Sequence, residues 1–401
     1  MSKLDELIQE LCPNGVPYVE LGTIAKGEKE RNKGQKCNLA FSITKGGLVK
    51  TSDYFKEATV TSEDTSGYKL VKKNWFVYSP SRIDVGSINY LKDEELVIVS
   101  PLNVVFSISE DKILPKYLLY FLQSRLGTWQ ILTKREGIEG TGRKLLPFER
   151  FSTIIVPLPP LEIQYEVVRI LDSFENLTSE LTAELTERKK QYEYYRNALL
   201  NKNTSIPIVM LRNVVKKSCS GATPAKGNPE YYEGGTIPWL RTQDVRFNEV
   251  YEINRFITEE AVKKTTAKLI PPNCVIVAIS GASAGRCAIN KIATTTNQHC
   301  LNMEIDSEKA LYKYVFYCVC DKYEELLSRK QGARGDLNSS LILSLTIPLP
   351  SLEEQRRIVS LLESFDYLCN DSISGLPAEI EARQRQYEYY RDKLLTFKKL
   401  S

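Results

Sequence analysis

Histidine is nearly missing from this chain: among 401 residues the sole example is His299. Imidazole-based metal sites and histidine-dependent acid–base catalysis are therefore poorly supplied. A lone histidine in the run Asn297-Gln298-His299-Cys300 reads more simply as a structural or surface residue. No apolar run approaches the roughly 18 residues that a membrane span needs, so none is expected. The opening stretch, Met1 to Leu11, is charged and amphipathic. It lacks the basic start and apolar middle of a secretory signal, which predicts a cytoplasmic protein. The nine cysteines are odd in number and no pair has CxxC spacing, so reduced, mostly buried thiols are expected and no disulfide frame.

Catalytic motifs are missing too. No GxxxxGK[ST] phosphate loop occurs, and the Gly-rich run 281–286 (GASAGR) lacks the Lys-Ser/Thr pair, so it reads as a turn. No [Asn/Asp]-Pro-Pro-[Tyr/Phe] amino-methyltransferase motif is present, since Pro159-Pro160 and Pro271-Pro272 sit in other contexts. No Pro-Asp dipeptide opens a nuclease carboxylate cluster, and no His/Cys spacing fits a metal. The residues point to a non-enzymatic binding protein that holds neither metal nor cofactor.

What is present is a duplication. Hydrophobic residues make up 42% and charged residues 26%, an ordinary globular mixture, and the length allows two to four domains. Positions 156–174 (VPLPPLEIQYEVVRILDSF) return at 347–365 (IPLPSLEEQRRIVSLLESF), an offset of 191. Positions 188–200 (RKKQYEYYRNALL) return at 383–395 (RQRQYEYYRDKLL) with an offset of 195. The second copy thus carries four more residues, in a stretch that includes Gly375-Leu376-Pro377. A period this long excludes a solenoid and means a duplicated body-plus-arm unit. The division is 1–155 first body with a short N-terminal helix, 156–204 first arm, 205–346 second body and 347–401 second arm.

The arms read as helices. Val167, Ile170, Phe174, Leu177 and Leu181 are spaced three and four apart, and the row resumes at Leu185 with one skip of four, a stutter, Arg188 filling the seam. The second arm offers Ile358, Leu361, Phe365 and Leu368, then Gly375 and Pro377, where a kink or break is expected. The pattern predicts two long helices packed as an antiparallel coiled coil. The QYEYYR blocks read as packing mass on that seam. The fold class is α+β: two mixed α/β bodies joined by the helix pair, with an internal pseudo-two-fold repeat. Each body has β-rich runs (75–79, 95–100, 103–108; 275–280, 301–305), then a helical stretch (115–126; 311–327), then a loop bearing Gly and Arg (136–144; 331–340). The bodies share layout but little sequence.

Net charge sharpens the reading. It is +3 over 1–150 and +5 over 201–350, against −3 over 151–200 and −1 over 351–401. Basic bodies on acidic arms fit a nucleic-acid surface, although scatter of this size is also common. Arg and Lys grip phosphates, Arg reads guanine, and Asn and Gln read adenine. The candidates are Lys72, Lys73, Arg82, Arg135, Arg143 and Lys144 in the first body. In the second they are Arg241, Gln243, Arg286, Asn297, Gln298 and Arg334. For Arg82 and Arg286, each following a strand and a tight turn, a bridging structural role is the rival. A scaffold presenting two unrelated binding domains is the alternative that the residues alone leave open; a standalone enzyme is disfavoured by the missing motifs.

The chain resembles the DNA-specificity (S) subunit of type I restriction–modification systems over nearly its whole length. The resemblance rests on 157–164 and 348–355 in the arms and on 77–88 and 98–106 in the first body. In the second it rests on 221–245, 268–289 and 295–300. It implies that each body is a target recognition domain for one half of a bipartite, asymmetric sequence in double-stranded DNA, with the helices as spacer. It further implies two methylation (M) subunits docked on the arms, which bind S-adenosylmethionine and flip out the target adenines. Restriction (R) subunits would add ATP-driven translocation and cleavage. This chain would hold no catalytic residue. The insertion in the second arm departs from the pattern and bears on the straightness of that helix.

Overall fold

The computed structural model describes residues 3–55, 64–137, 144–201, 206–330, 336–370 and 374–400. The chain divides into two compact units, Met1–Thr182 with Glu379–Ser401, and Ala183–Ala378.

In the first unit, helix α1 (Lys3–Leu11) precedes the first body. That body is built from β1 (Tyr18–Glu20), β2 (Ala25–Glu28), β3 (Ala40–Thr44), β4 (Gly47–Lys50), helix α2 (Thr51–Tyr54), β5 (Lys69–Lys72), β6 (Phe76–Tyr78), β7 (Ile88–Tyr90), β8 (Leu96–Val99) and β9 (Val104–Ile108). Helices α3 (Pro115–Gln123) and α4 (Arg125–Lys134) follow, then β10 (Glu136–Gly137), β11 (Lys144–Leu145), α5 (Phe148–Phe151) and β12 (Ile155–Pro157), before α6 (Leu161–Asn201) begins. Two four-stranded sheets form, ordered β2-β9-β6-β7 and β4-β3-β8-β5. Strand β6 shows why they stack. Its alternate residues Phe76 and Tyr78 join the core that holds α3, while Val77 joins Val71, Val97, Val99 and Val105 in a second core. A strand with both faces covered must be apolar throughout, and this one is. Phe76 lies opposite Phe106 in register, their rings stacked with centroids 4.9 Å apart.

The second body repeats the plan. Its strands are β13 (Ile208–Met210), β14 (Val215–Ser220), β15 (Ile237–Leu240), β16 (Asn248–Val250), β17 (Phe256–Ile257), β18 (Val275–Ala278), β19 (Cys287–Asn290), β20 (Thr295–Thr296), β21 (Cys300–Ile305) and β22 (Thr346–Pro348). Its helices are α7 (Glu259–Lys264), α8 (Tyr312–Asp321), α9 (Tyr323–Ser328) and α10 (Ser339–Leu343). The main sheet is ordered β14-β21-β18-β19-β16. Its first four strands match β2-β9-β6-β7 in order and are antiparallel throughout in both bodies. The alternation repeats as well: Val275 and Val277 face the core that holds α8, and Ile276 and Ala278 face a second core. The second layers differ. Here it is β17-β15-β20, with β15 and β20 parallel.

The arms are α6, α11 (Leu352–Asn370) and α12 (Leu376–Leu394). The second arm is broken at Gly375, and Pro377 sits in the first turn of α12, where its missing N–H costs nothing. In the first unit the start of α6 pairs with α12: Phe174 stacks on Tyr390 at 5.3 Å and the Tyr387 hydroxyl donates to Glu175. In the second unit the end of α6 pairs with α11. Phe365 lies beside Tyr195, Asp366 beside Tyr192, and Cys369 beside Lys189. Numbers rise on one helix as they fall on the other, so each pair is antiparallel.

The seam differs from the sequence reading at specific positions. Val167 and Ile358 are buried, and Ile170, Phe174, Leu181, Phe365 and Leu368 are half-buried. Leu177 and Leu361 are not seam residues: they stand 37% and 40% exposed. Their places are taken by Leu171 and Leu362, fully buried, and by Thr178 and Cys369. The seam runs 167, 171, 174, 178, 181, 185, 188, 192 in alternating steps of four and three, with no stutter. Hydropathy favours Leu177 over Thr178, but the threonine hydroxyl donates to the Phe174 carbonyl at 2.9 Å and so can face inward.

Candidate nucleic-acid interface

Each body is fixed to its own arm by a glutamine from the repeated motif. Gln164 is fully buried. Its Nε2 donates to the carbonyls of Lys112 and Pro159, both at 2.8 Å, and its Oε1 accepts from Leu114 N at 2.9 Å. Gln355, also fully buried, makes the same three bonds to Lys309 O, Pro350 O and Leu311 N. Leu114 and Leu311 are the N-cap residues of α3 and α8 and have no side-chain cap of their own. The glutamine therefore satisfies the backbone donor that a capping box would serve, but from a different helix. One turn on, Tyr117 and Tyr314 donate to the carbonyls of Pro157 and Pro348 at 3.2 and 3.0 Å.

A polar cluster completes each attachment. In the first unit Tyr120 donates to Asp172 at 2.6 Å and Lys116 pairs with the same carboxylate at 2.7 Å. In the second, Tyr317 donates to Asp366 at 2.7 Å, while Lys313 pairs with Glu363 and Glu249. Burial holds the Asp366 carboxyl above the usual aspartate range, partly opposed by hydrogen bonds from Tyr317, Tyr192 and Asn370. Sequence reasoning missed this machinery. The available signal was repetition: Gln164 and Gln355 are identical at the 191-residue offset.

With the bodies so anchored, the candidate contact residues separate into spent and unspent groups. Arg135 is spent: its side chain is 10% exposed and its guanidinium donates to Asp84 at 2.7 Å and to the carbonyls of Ser81 and Lys144. It braces the β6–β7 connection rather than facing a ligand. Asn297 is also spent, 8% exposed, with Oδ1 accepting from His299 N and the Cys300 thiol. With its carbonyl oxygen held by its own turn, this amide is not free to offer adenine both edges at once. Lys72 pairs with Glu30 at 3.0 Å and lies over the Trp75 ring, and Lys73 pairs with Glu95 at 2.7 Å, both on the surface. Such exposed pairs are weak enough to be exchanged for a phosphate. Arg143 and Arg334 lie outside the described residues.

The unspent group stands on loops. Arg82, at the tip between β6 and β7, is exposed and has no ion pair or side-chain hydrogen bond among the described residues. It borders a cleft of about 510 Å³ that is also lined by Thr44, Lys45, Tyr68 and Asn103. Lys144 is exposed. In the second body Arg286 is half-buried at the foot of the β18–β19 connection, beside β19, again without a side-chain partner among the described residues. Arg241 has its backbone N–H tied to Asp244 at 2.9 Å, and its Nε is buried without a partner. Gln243 is exposed, its carbonyl accepting from Arg246. Gln298 falls between the two groups: both ends of its amide are engaged, Oε1 by the Thr223 hydroxyl and Nε2 by His299 Nε2 at 3.1 Å, but the side chain is exposed and these bonds are exchangeable.

These groups can bind an anion or read a base edge. Among the described residues no group of three or more His, Cys, Asp and Glu could hold a metal. The cysteines are free, and burial pushes the thiols of Cys274, Cys300 and Cys318 up to about 12, far from nucleophilic at neutral pH. No helix among the described residues is long and apolar enough to cross a membrane.

The family model described as "Type I restriction modification DNA specificity domain" matches twice, over residues 13–191 and 207–382. The specificity subunit of the Escherichia coli type I restriction enzyme EcoR124I/EcoR124II is 36% identical over 416 aligned positions, covering 100% of this chain and 98% of that one. The MjaIX specificity subunit of Methanocaldococcus jannaschii is 34% identical over 154 positions, 37% of this chain and 35% of that one. Among solved structures, the HsdS subunit of Thermoanaerobacter tengcongensis superposes with a TM-score of 0.54 at 17% identity, covering 96% of this chain and 97% of that one. The S subunit from M. genitalium gives 0.55 at 13% identity, covering 95% and 96%. Both likenesses are of fold.

Proposed function

The chain belongs to the type I restriction–modification DNA-specificity family, and we propose that each of its two bodies reads one half of a bipartite, asymmetric sequence in double-stranded DNA. It is a DNA-specificity subunit and has no catalytic role of its own. The bodies, 1–155 and 205–346, are the target recognition domains; the arms, 156–204 and 347–401, take two methylation subunits, to which restriction subunits add. The complex works in the cytoplasm, where the DNA is. The contact residues are Arg82 and Lys144 in the first body and Arg241, Gln243, Arg286 and Gln298 in the second. Lys72 and Lys73 add exchangeable charge.

One observation carries this reading: the same four-strand sheet occurs in both bodies beneath different second layers, with uncommitted arginines and amides on the loops. A duplicated platform with diverged outer layers is what two different half-sites require. Arginine and amide side chains are the donors that base edges accept.

The test is co-expression with a methylation subunit and mapping of adenine methylation at single-base resolution. A gapped motif of two unlike halves is expected, and exchanging residues 205–346 for those of a relative should change one half alone. A stable complex that adds no methylation and binds every duplex equally would leave a scaffold instead.

A further inference from the structure

The two bodies share little sequence, yet one connection is the same in both. The strands β6 and β7 and the strands β18 and β19 occupy the same places in the matching sheets, joined as antiparallel neighbours. Each connection contains a single 3-10 turn, Ile83–Val85 in one and Gly281–Ser283 in the other. A left-handed glycine follows each turn, Gly86 at φ 85° directly and Gly285 at φ 92° after Ala284. Each connection also carries one basic residue and no other, Arg82 or Arg286.

The backbone at both arginines is locked. Arg82 N donates to Ser79 O at 3.1 Å, and its own carbonyl accepts from Val85 N and Ser87 N. Arg286 N donates to Ser283 O at 3.0 Å, and its carbonyl accepts from Ala278 N at 2.9 Å. Neither guanidinium is committed to a carboxylate or carbonyl among the described residues. That contrasts with Arg135, whose two terminal guanidinium nitrogens are both engaged. Two flexible cations are thus held on the same connection of the matching sheets, Arg82 just before its turn and Arg286 just after its own.

A feature common to both bodies cannot tell one half-site from the other. What discriminates must lie where the bodies differ, in the second layers and their loops. What they share must meet the part of DNA that is the same at every site, the phosphate backbone. We infer that Arg82 and Arg286, the one basic residue on the matching connection of each body, are phosphate-gripping positioning residues, which set each body on the duplex and make no choice of base. The guanidinium fork suits a phosphate through two parallel hydrogen bonds. This inference rests on the DNA reading proposed above.

The experiment uses the assembled complex with methylation subunits. Duplex affinity is measured across a salt series for wild type, Arg82→Ala, Arg286→Ala, Arg82→Lys, Arg286→Lys and Gln298→Ala. The probes are the mapped target duplex, duplexes with one base pair changed in either half, and an unrelated duplex. Each alanine variant should weaken all the duplexes by the same factor and shallow the slope of log K against log salt by about one. The methylated motif should stay as in wild type, and the lysine variants should recover the slope, which a merely misfolded body would not do. Gln298→Ala should instead weaken discrimination in one half. Relaxation of a single base position in either arginine variant overturns the inference, as does an unchanged salt slope. Failure of the underlying reading shows separately, as wild-type complex that binds all duplexes alike.

Discussion

Replacing Gln164 by alanine should loosen the first body from its arm and leave the second untouched. The side chain is fully buried and makes three hydrogen bonds of 2.8–2.9 Å. Its loss strands the Leu114 amide in the interior, at a cost of about 1–3 kcal/mol. The carbonyls of Lys112 and Pro159 each lose a donor, at roughly 0.5–1.5 kcal/mol apiece. The sum is about 2–6 kcal/mol, which for a unit of this size lowers the melting midpoint by roughly 4–24 °C. Calorimetry of the complex with methylation subunits reads the total. Amide exchange locates it: protection should fall over residues 114–123 and hold over 311–321, since Gln355 keeps α8 in place. Glutamate at the same position is a sharper probe. A carboxylate facing two carbonyls has no donor for them unless protonated, so Gln164→Glu should be destabilised at neutral pH and recover as the pH falls. A midpoint shift below about 2 °C, or equal loss of protection in both bodies, would refute the clamp.

Two further expectations concern the arms. Leu171→Ala should cost about 2–5 kcal/mol in urea unfolding, and Leu177→Ala within about 0.5 kcal/mol of zero; the reverse order would restore Leu177 to the seam. Asp366→Asn tests the raised carboxyl of the second unit. A native group with a raised pKa binds its proton at a pH where the unfolded chain has released it, so its cost to stability grows as pH rises above the usual aspartate range. The stability of the variant minus that of wild type, from urea titrations at a series of pH values, should therefore increase with pH through that window and then level off. A flat or falling difference would contradict the assignment.

The legible part of this protein is the part written twice. The repeated arms were readable because the same apolar spacing recurs 191 and 195 residues apart. The break near Gly375 and Pro377 was readable because proline cannot donate within a helix. Runs such as 75–79 and 103–108 announced strands, since a strand buried on both faces must be apolar at every position. The pairing was hidden: Ala25 lies opposite Ile108 and Val275 opposite Met303, and nothing local specifies partners so far apart.

The interface was legible in kind and not in membership, for one physical reason. Arginine and asparagine serve equally well as ligand contacts and as internal braces, and the sequence shows the donor but not what it has been given to. Arg135 bonds Asp84 and two carbonyls, and Asn297 ties its own turn, so both are consumed by the fold. Arg82 stands between Ser81 and Asp84, the two residues of that connection which Arg135 bonds. The spent arginine is thus what holds the loop of the unspent one, and the two could not be ranked from composition. The same logic explains Gln164 and Gln355: a polar residue kept at full burial in both copies is one whose hydrogen bonds the fold cannot replace, because an unpaired amide inside a core costs more than any apolar side chain there would return.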